Sequence, residues 1–167
     1  MTKKKSTILL LAAVASATLA GTALASPPSG ILSGAILARA SFTQPVDVKI
    51  KVAGAGQEVI HVPNTQETVM QHIVVAPGGN TGWHSHPGPA VALVKSGALT
   101  LYAGDDPTCA GQTYEAGEAF VDSGQGHTHV ARNLSATDNL EVLVTYFDVP
   151  PGGSVRVDAE DPGTCDF

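Results

Sequence analysis

The amino-acid sequence predicts an all-β domain built as a sandwich or a barrel. Short Val-rich runs, several of them alternating apolar and polar residues, recur from residue 36 to residue 157. The 18 glycines and 11 prolines fall between these runs as punctuation. Almost nothing after residue 26 carries the 3.6-residue apolar period of a helix. About ten short strands in one domain-length chain imply a closed or doubly layered sheet.

The first 25 residues stand apart. Lys3, Lys4 and Lys5 precede an apolar run over 8–19, and Ala23-Leu24-Ala25 offers a small-x-small cleavage site. This is the layout of a secretory signal peptide, and the run is short for a membrane span. The expectation is an exported protein, secreted or held in the cell envelope, with no stable membrane span after cleavage. An uncleaved N-terminal anchor is the alternative. Residues 26–34, rich in Pro, Ser and Gly, read as a flexible leader, and residues 35–167 as the β domain.

Strands are predicted over 36–42, 46–52, 58–62, 69–76, 90–94, 98–102, 112–114, 118–121, 127–133, 140–148 and 155–157. Breakers separate them, among them Gly78-Gly79, Ser96-Gly97, Ala116-Gly117 and Gly124-Gln125-Gly126. Alternation is plainest where Leu140, Val142, Val144 and Tyr146 share one face.

Charge narrows the partners. The leader holds three of the nine Lys and Arg and none of the fifteen Asp and Glu. The chain left after cleavage is strongly acidic and has no basic cluster, which excludes nucleic acid and anionic lipid as partners. A small-molecule ligand or substrate remains. The two cysteines, Cys109 and Cys165, are expected to form one disulfide in an exported chain, tying the tail to the domain. The chain-entropy model values such a long closed loop at roughly 4 kcal/mol. Two free thiols are the alternative.

The chemistry-bearing feature is the pair His84-Ser85-His86, just after the Pro77-Gly78-Gly79 turn. On a strand, residues two apart face the same way, so the two imidazoles converge. Two neutral imidazoles from one strand make half of a transition-metal site. The spacing returns once, at His127-Thr128-His129.

Gly78, five residues, His84-x-His86 and then Gly97 resemble the first motif of the cupin superfamily, G-x5-H-x-H-x3,4-E-x6-G. Gly126, two residues, His129, three residues and Asn133 resemble the end of the second, G-x5-P-x-G-x2-H-x3-N. The resemblance covers about residues 69–148. It implies a cupin-type jelly-roll β-barrel in a single domain, with a divalent transition metal (Fe, Mn, Zn, Ni or Cu) in its mouth. Carried over by position, the ligands are His84, His86 and His129. Such barrels are often dimers, so a homodimer is expected.

Two departures matter. The motif's Glu would fall at position 90 or 91, and the chain has Ala90 and Val91; the x6 spacing from Ala90 to Gly97 makes this a replacement of Glu by Ala. The second motif's Pro is replaced by Gly124, and its opening Gly117 is one residue out of register. His127 shares the parity of His129 and could supply a fourth imidazole; the alternative places it in the Gly-rich turn facing solvent. Glu118 and Glu141 are the other carboxylates weighed for the site, though nothing in the sequence places either there. His61 reads as a surface residue, and Trp83 as a packing residue pointing away from the metal. His72 could line the barrel.

Two functions follow. One is a secreted metal-binding cupin with dioxygenase-like or isomerase-like chemistry on a small molecule, for which a three-His site leaves open positions. The other is a non-enzymatic small-ligand-binding cupin with a degenerate or empty metal site.

Overall fold

The computed structural model describes residues 26–53 and 58–167, so the expected signal peptide lies outside the described residues. In chain order the strands are β1 (Ser29–Ser41), β2 (Val48–Val52), β3 (Glu58–Val62), β4 (Glu67–Asn80), β5 (His84–Ser85) and β6 (Ala90–Ser96). There follow β7 (Ala98–Ala103), β8 (Gln112–Glu115), β9 (Ala119–Asp122), β10 (His129–Arg132), β11 (Leu140–Val149) and β12 (Val157–Asp158). There is no helix among the described residues, and therefore none long and apolar enough to cross a membrane.

All pairing is antiparallel. One wall carries β4 between β1 and β11, with β6 and β9 continuing beyond β11. The other carries β12, β5, β10, β7 and β8. A single pair, Arg132 opposite Asn80, joins the walls along one side. This is a nearly closed jelly-roll barrel. A separate hairpin pairs β2 with β3, and its Ile60 and Val62 are buried.

The core follows the strand period. Leu140, Val142, Val144 and Tyr146 are all buried, while the residues between them are only partly covered. They meet Val69, Val75, Ala92, Val94, Leu99 and Ala131 in one cluster. Trp83 points to the opposite side of the β5 wall and packs with Val130 and Cys165. Cys165 is bonded to Cys109, and the tail's Phe167 stacks on Trp83 at 6.4 Å between ring centroids. Burying an indole fixes the face that its neighbours His84 and His86 do not share.

Residues 26–34 correct an expectation. They are not a loose leader: from Ser29 onward the chain is strand β1, paired with β4 from Ser29 opposite Asn80 to Ser41 opposite Glu67. Irregularities at Ile31, Ser33 and Ala38 let the glycine-rich segment follow the barrel's curvature. Gly30 takes a left-handed conformation there, φ 70°.

Candidate metal centre

His84 lies on β5, directly across from His129 on β10. Directly opposed residues face the same side of a sheet. His86 follows two residues after His84 and returns to that side. The ring centroids are 4.9 Å apart for His84 and His86, 4.5 Å for His84 and His129, and 5.2 Å for His86 and His129. One ligand-type atom from each lies within 4.8 Å of the others. All three side chains are buried.

Backbone carbonyls set the orientation of two rings. The Nδ1 of His84 donates to the Gly82 carbonyl at 2.9 Å, and that of His86 to the Val155 carbonyl at 2.6 Å. A proton on Nδ1 leaves the Nε2 lone pair free, which is the form a metal takes. Burial, with the fields of His129 and His86, pushes the His84 imidazole down to about 2. Burial likewise pushes His129 down to about 4 and lowers His86. Three neutral imidazoles therefore converge at neutral pH.

The site also has a carboxylate that sequence reasoning missed. Asp122, the last residue of β9, is buried, with Oδ2 4.0 Å from His86 Nε2 and Oδ1 3.5 Å from His129 Nδ1. Burial works to raise its carboxyl, but the His127 hydrogen bond and the fields of His129, His86 and His127 hold it below its ordinary value. Its one sequence signal was its position at the end of a predicted strand, where Asp reads as a turn residue. Glu118 and Glu141 lie outside: Glu118 is exposed beside Glu115, and Glu141 pairs with Lys95 and His72 on the outer face.

His127 lies outside the group of His84, His86 and His129 but forms a second possible metal-holding group with Asp122 and His129. Pairing in β10 begins at His129, because Gly124 and Gly126 take left-handed conformations and turn the chain before it. His127 is half-buried and bonded through Nδ1 to Asp122 Oδ1 at 3.2 Å, and that bond raises its affinity for a proton. It thus borders the centre through Asp122. His72 bonds Glu141 at 2.9 Å, and the exposed His61 sits 3.8 Å from Asp47. Asn133, the second motif's last residue, is fully buried and donates to the carbonyls of Val75, Ala76 and Asp138, pinning β10 to the end of β4.

The imidazoles and Asp122 line an inner cavity of about 50 Å³ with otherwise mainly apolar walls. That is room for an ion and a few waters. A wider cavity of about 170 Å³ lies beside it, bordered by His84, His86, Tyr146, Arg156 and Ile31 of β1.

A jelly-roll barrel with histidines converging in its interior defines the cupin class of protein. Residues 71–146, which include all three histidines, match the family model described as "Cupin domain". A search of curated proteins gave no match. Among solved structures, the chain is similar to the polyketide cyclase RemF from Streptomyces resistomycificus, at 22% identity and TM-score 0.45, covering 57% of this chain and 64% of that one. It is also similar to an oxalate oxidase, at 26% identity and TM-score 0.42, covering 48% and 41%. A cupin-domain protein from Bordetella pertussis Tohama I matches at 18% identity and TM-score 0.41, covering 64% and 97%. The chain thus spans less than two-thirds of the length of the first two.

Proposed function

We propose that this cupin is an exported protein holding one divalent transition metal ion (Fe, Mn, Zn, Ni or Cu) through His84, His86 and His129, with Asp122 as the anionic member of the site. The carrying observation is the donor set. Three buried imidazoles bring their ligand atoms within 4.8 Å of one another, two with Nδ1 engaged by carbonyls, and the buried His129 Nδ1 makes no hydrogen bond. Three neutral rings and one carboxylate are a fitting set for such an ion. Bound there, the metal would supply Lewis-acid or redox chemistry to a small molecule.

The chain's own residues divide the remaining work. The Gly82 and Val155 carbonyls hold the rings in one tautomer. Asp122 offsets positive charge. Tyr146 keeps its phenol proton, because burial raises it, and its hydroxyl donates to Gln71 at 3.0 Å. It is therefore a wall of the site and not a base. Export is supported by the Cys109–Cys165 bridge, since disulfides persist in oxidising compartments. We further propose a homodimer through β1. β4 covers one edge of this 13-residue strand, no described strand covers the other, and Leu32 and Leu37 are 61% and 56% exposed.

Oxygen uptake by the metal-loaded protein over a panel of thiols and phenols separates oxidoreductase from ligand carrier. Uptake that disappears in His84→Ala supports the enzyme. Tight ligand binding without turnover supports the carrier. Failure to take up any of the five metals contradicts the proposal.

A further inference from the structure

The wider cavity contains a cation whose charge the metal centre does not use. Arg156 follows Val155, the residue whose carbonyl fixes the His86 ring. Its Nε donates to Asp158 at 2.5 Å, and the Asp158 carboxylate is largely exposed. Its Nη2 is fully buried and has no hydrogen-bond partner. Leaving a buried guanidinium donor unmade is costly, so such a group marks a position that a ligand acceptor fills.

Arg156 borders the same cavity as His84 and His86, and its charge acts on both rings. The other walls are mostly apolar: Ile31, Ile73, Val155 and the ring of Tyr146. A cavity with an arginine that keeps one unpaired donor, apolar sides and a metal-ligand face selects an acid with a small apolar body. A planar carboxylate matches the guanidinium fork in a way an amide or alcohol does not.

We propose that the mouth of this barrel binds a small carboxylic acid, its carboxylate received by Arg156 beside His84 and His86 and its body lying against Ile31, Ile73 and Val155. The inference rests on the metal-site reading only for a second contact from the ion to the acid. The Arg156 contact stands without it.

Calorimetric titration of acetate, pyruvate and benzoate, with benzamide as the neutral counterpart of benzoate, tests this on metal-free and metal-loaded protein. The expected result is binding of at least one carboxylate, none of benzamide, and a loss of about 10- to 100-fold in Arg156→Gln with partial retention in Arg156→Lys. An unchanged melting temperature in Arg156→Gln separates this from unfolding; if that variant melts early, the Arg156→Lys titration decides. Carboxylate binding that needs Arg156 in a protein that takes up no metal would uphold the acid site and remove the metal reading. Binding to the loaded protein alone, equal in wild type and Arg156→Gln, would assign the acid to the metal and overturn the role of Arg156. Metal uptake without affinity for any of the three acids would overturn the proposal and leave the metal site standing.

Discussion

Asp122 stands directly opposite Ala90 across the ladder between β6 and β9, and Tyr146 stands opposite Ala90 on its other side. The three form one cross-strand row on the inner face, all buried and all bordering the inner cavity. Position 90 is where the first cupin motif has its Glu. A carboxylate, missing there, is present one strand away at Asp122.

This row makes the charge transferable. Asp122→Asn is expected to weaken metal affinity about 10- to 100-fold, the usual cost of losing a carboxylate at or beside a metal ligand. Ala90→Glu combined with Asp122→Ala is expected to recover most of it. Chelator competition with Zn or Co reads both. Affinity unchanged in Asp122→Asn would reduce Asp122 to a partner of His127.

The metal-free protein is expected to lose stability on acidification. His84 and His129, at about 2 and about 4, remain neutral in the fold at pH values where the unfolded chain, near 6.5, binds protons. Their contribution is complete above pH 6.5 and is lost as pH falls below it, at roughly 1.4 kcal/mol per unit for each ring down to about pH 4. Asp122, also lowered, adds loss at still lower pH. His127 has the opposite sign: its raised affinity stabilises below 6.5 and is lost as pH rises through its folded value. It is half-exposed and single, so the buried rings dominate. Melting temperature should fall from pH 7.5 to pH 5; a maximum at pH 5 would contradict the neutral cluster.

Restoring the second motif's proline should harm the protein. Gly124 has φ 62°, and the Gly88 carbonyl occupies the space a Cβ would take. Proline is locked near −65° and cannot adopt this turn. Gly124→Pro is expected to cost about 3 kcal/mol or more, and Gly124→Ala somewhat less. Urea unfolding measures both, and a neutral Gly124→Pro would refute the account of this loop.

The β1 edge predicts an oligomer. Wild-type protein is expected to run as a dimer in light scattering, and Leu32→Lys with Leu37→Lys as a soluble monomer. A monomeric wild type at tens of micromolar would remove the dimer from the account.

The strand pattern and the three histidines were legible in the sequence because both depend on local spacing. Alternation marked β11, and two-residue separation marked the His84 and His86 pair. Asp122 was not legible, because its meaning comes from a register with Ala90 thirty-two positions earlier, set by pairing across β6 and β9. Arg156 was hidden for the same reason: only the fold brings it to His84 and His86. Residues 29–34 were misread because their Gly and Ser, following Pro27 and Pro28, suggested a loop, while Ile31 and Leu32 already carried strand character.

The proposed metal centre has His84, His86 and His129 holding one ion. Elemental analysis of protein purified from the periplasm or medium, beside a His84→Ala/His86→Ala double variant, tests it most directly. Close to one transition metal per chain is expected in the wild type and almost none in a folded double variant. Wild-type protein that stays metal-free after incubation with Zn, Fe, Cu, Mn and Ni, or a double variant that retains full occupancy, would contradict it.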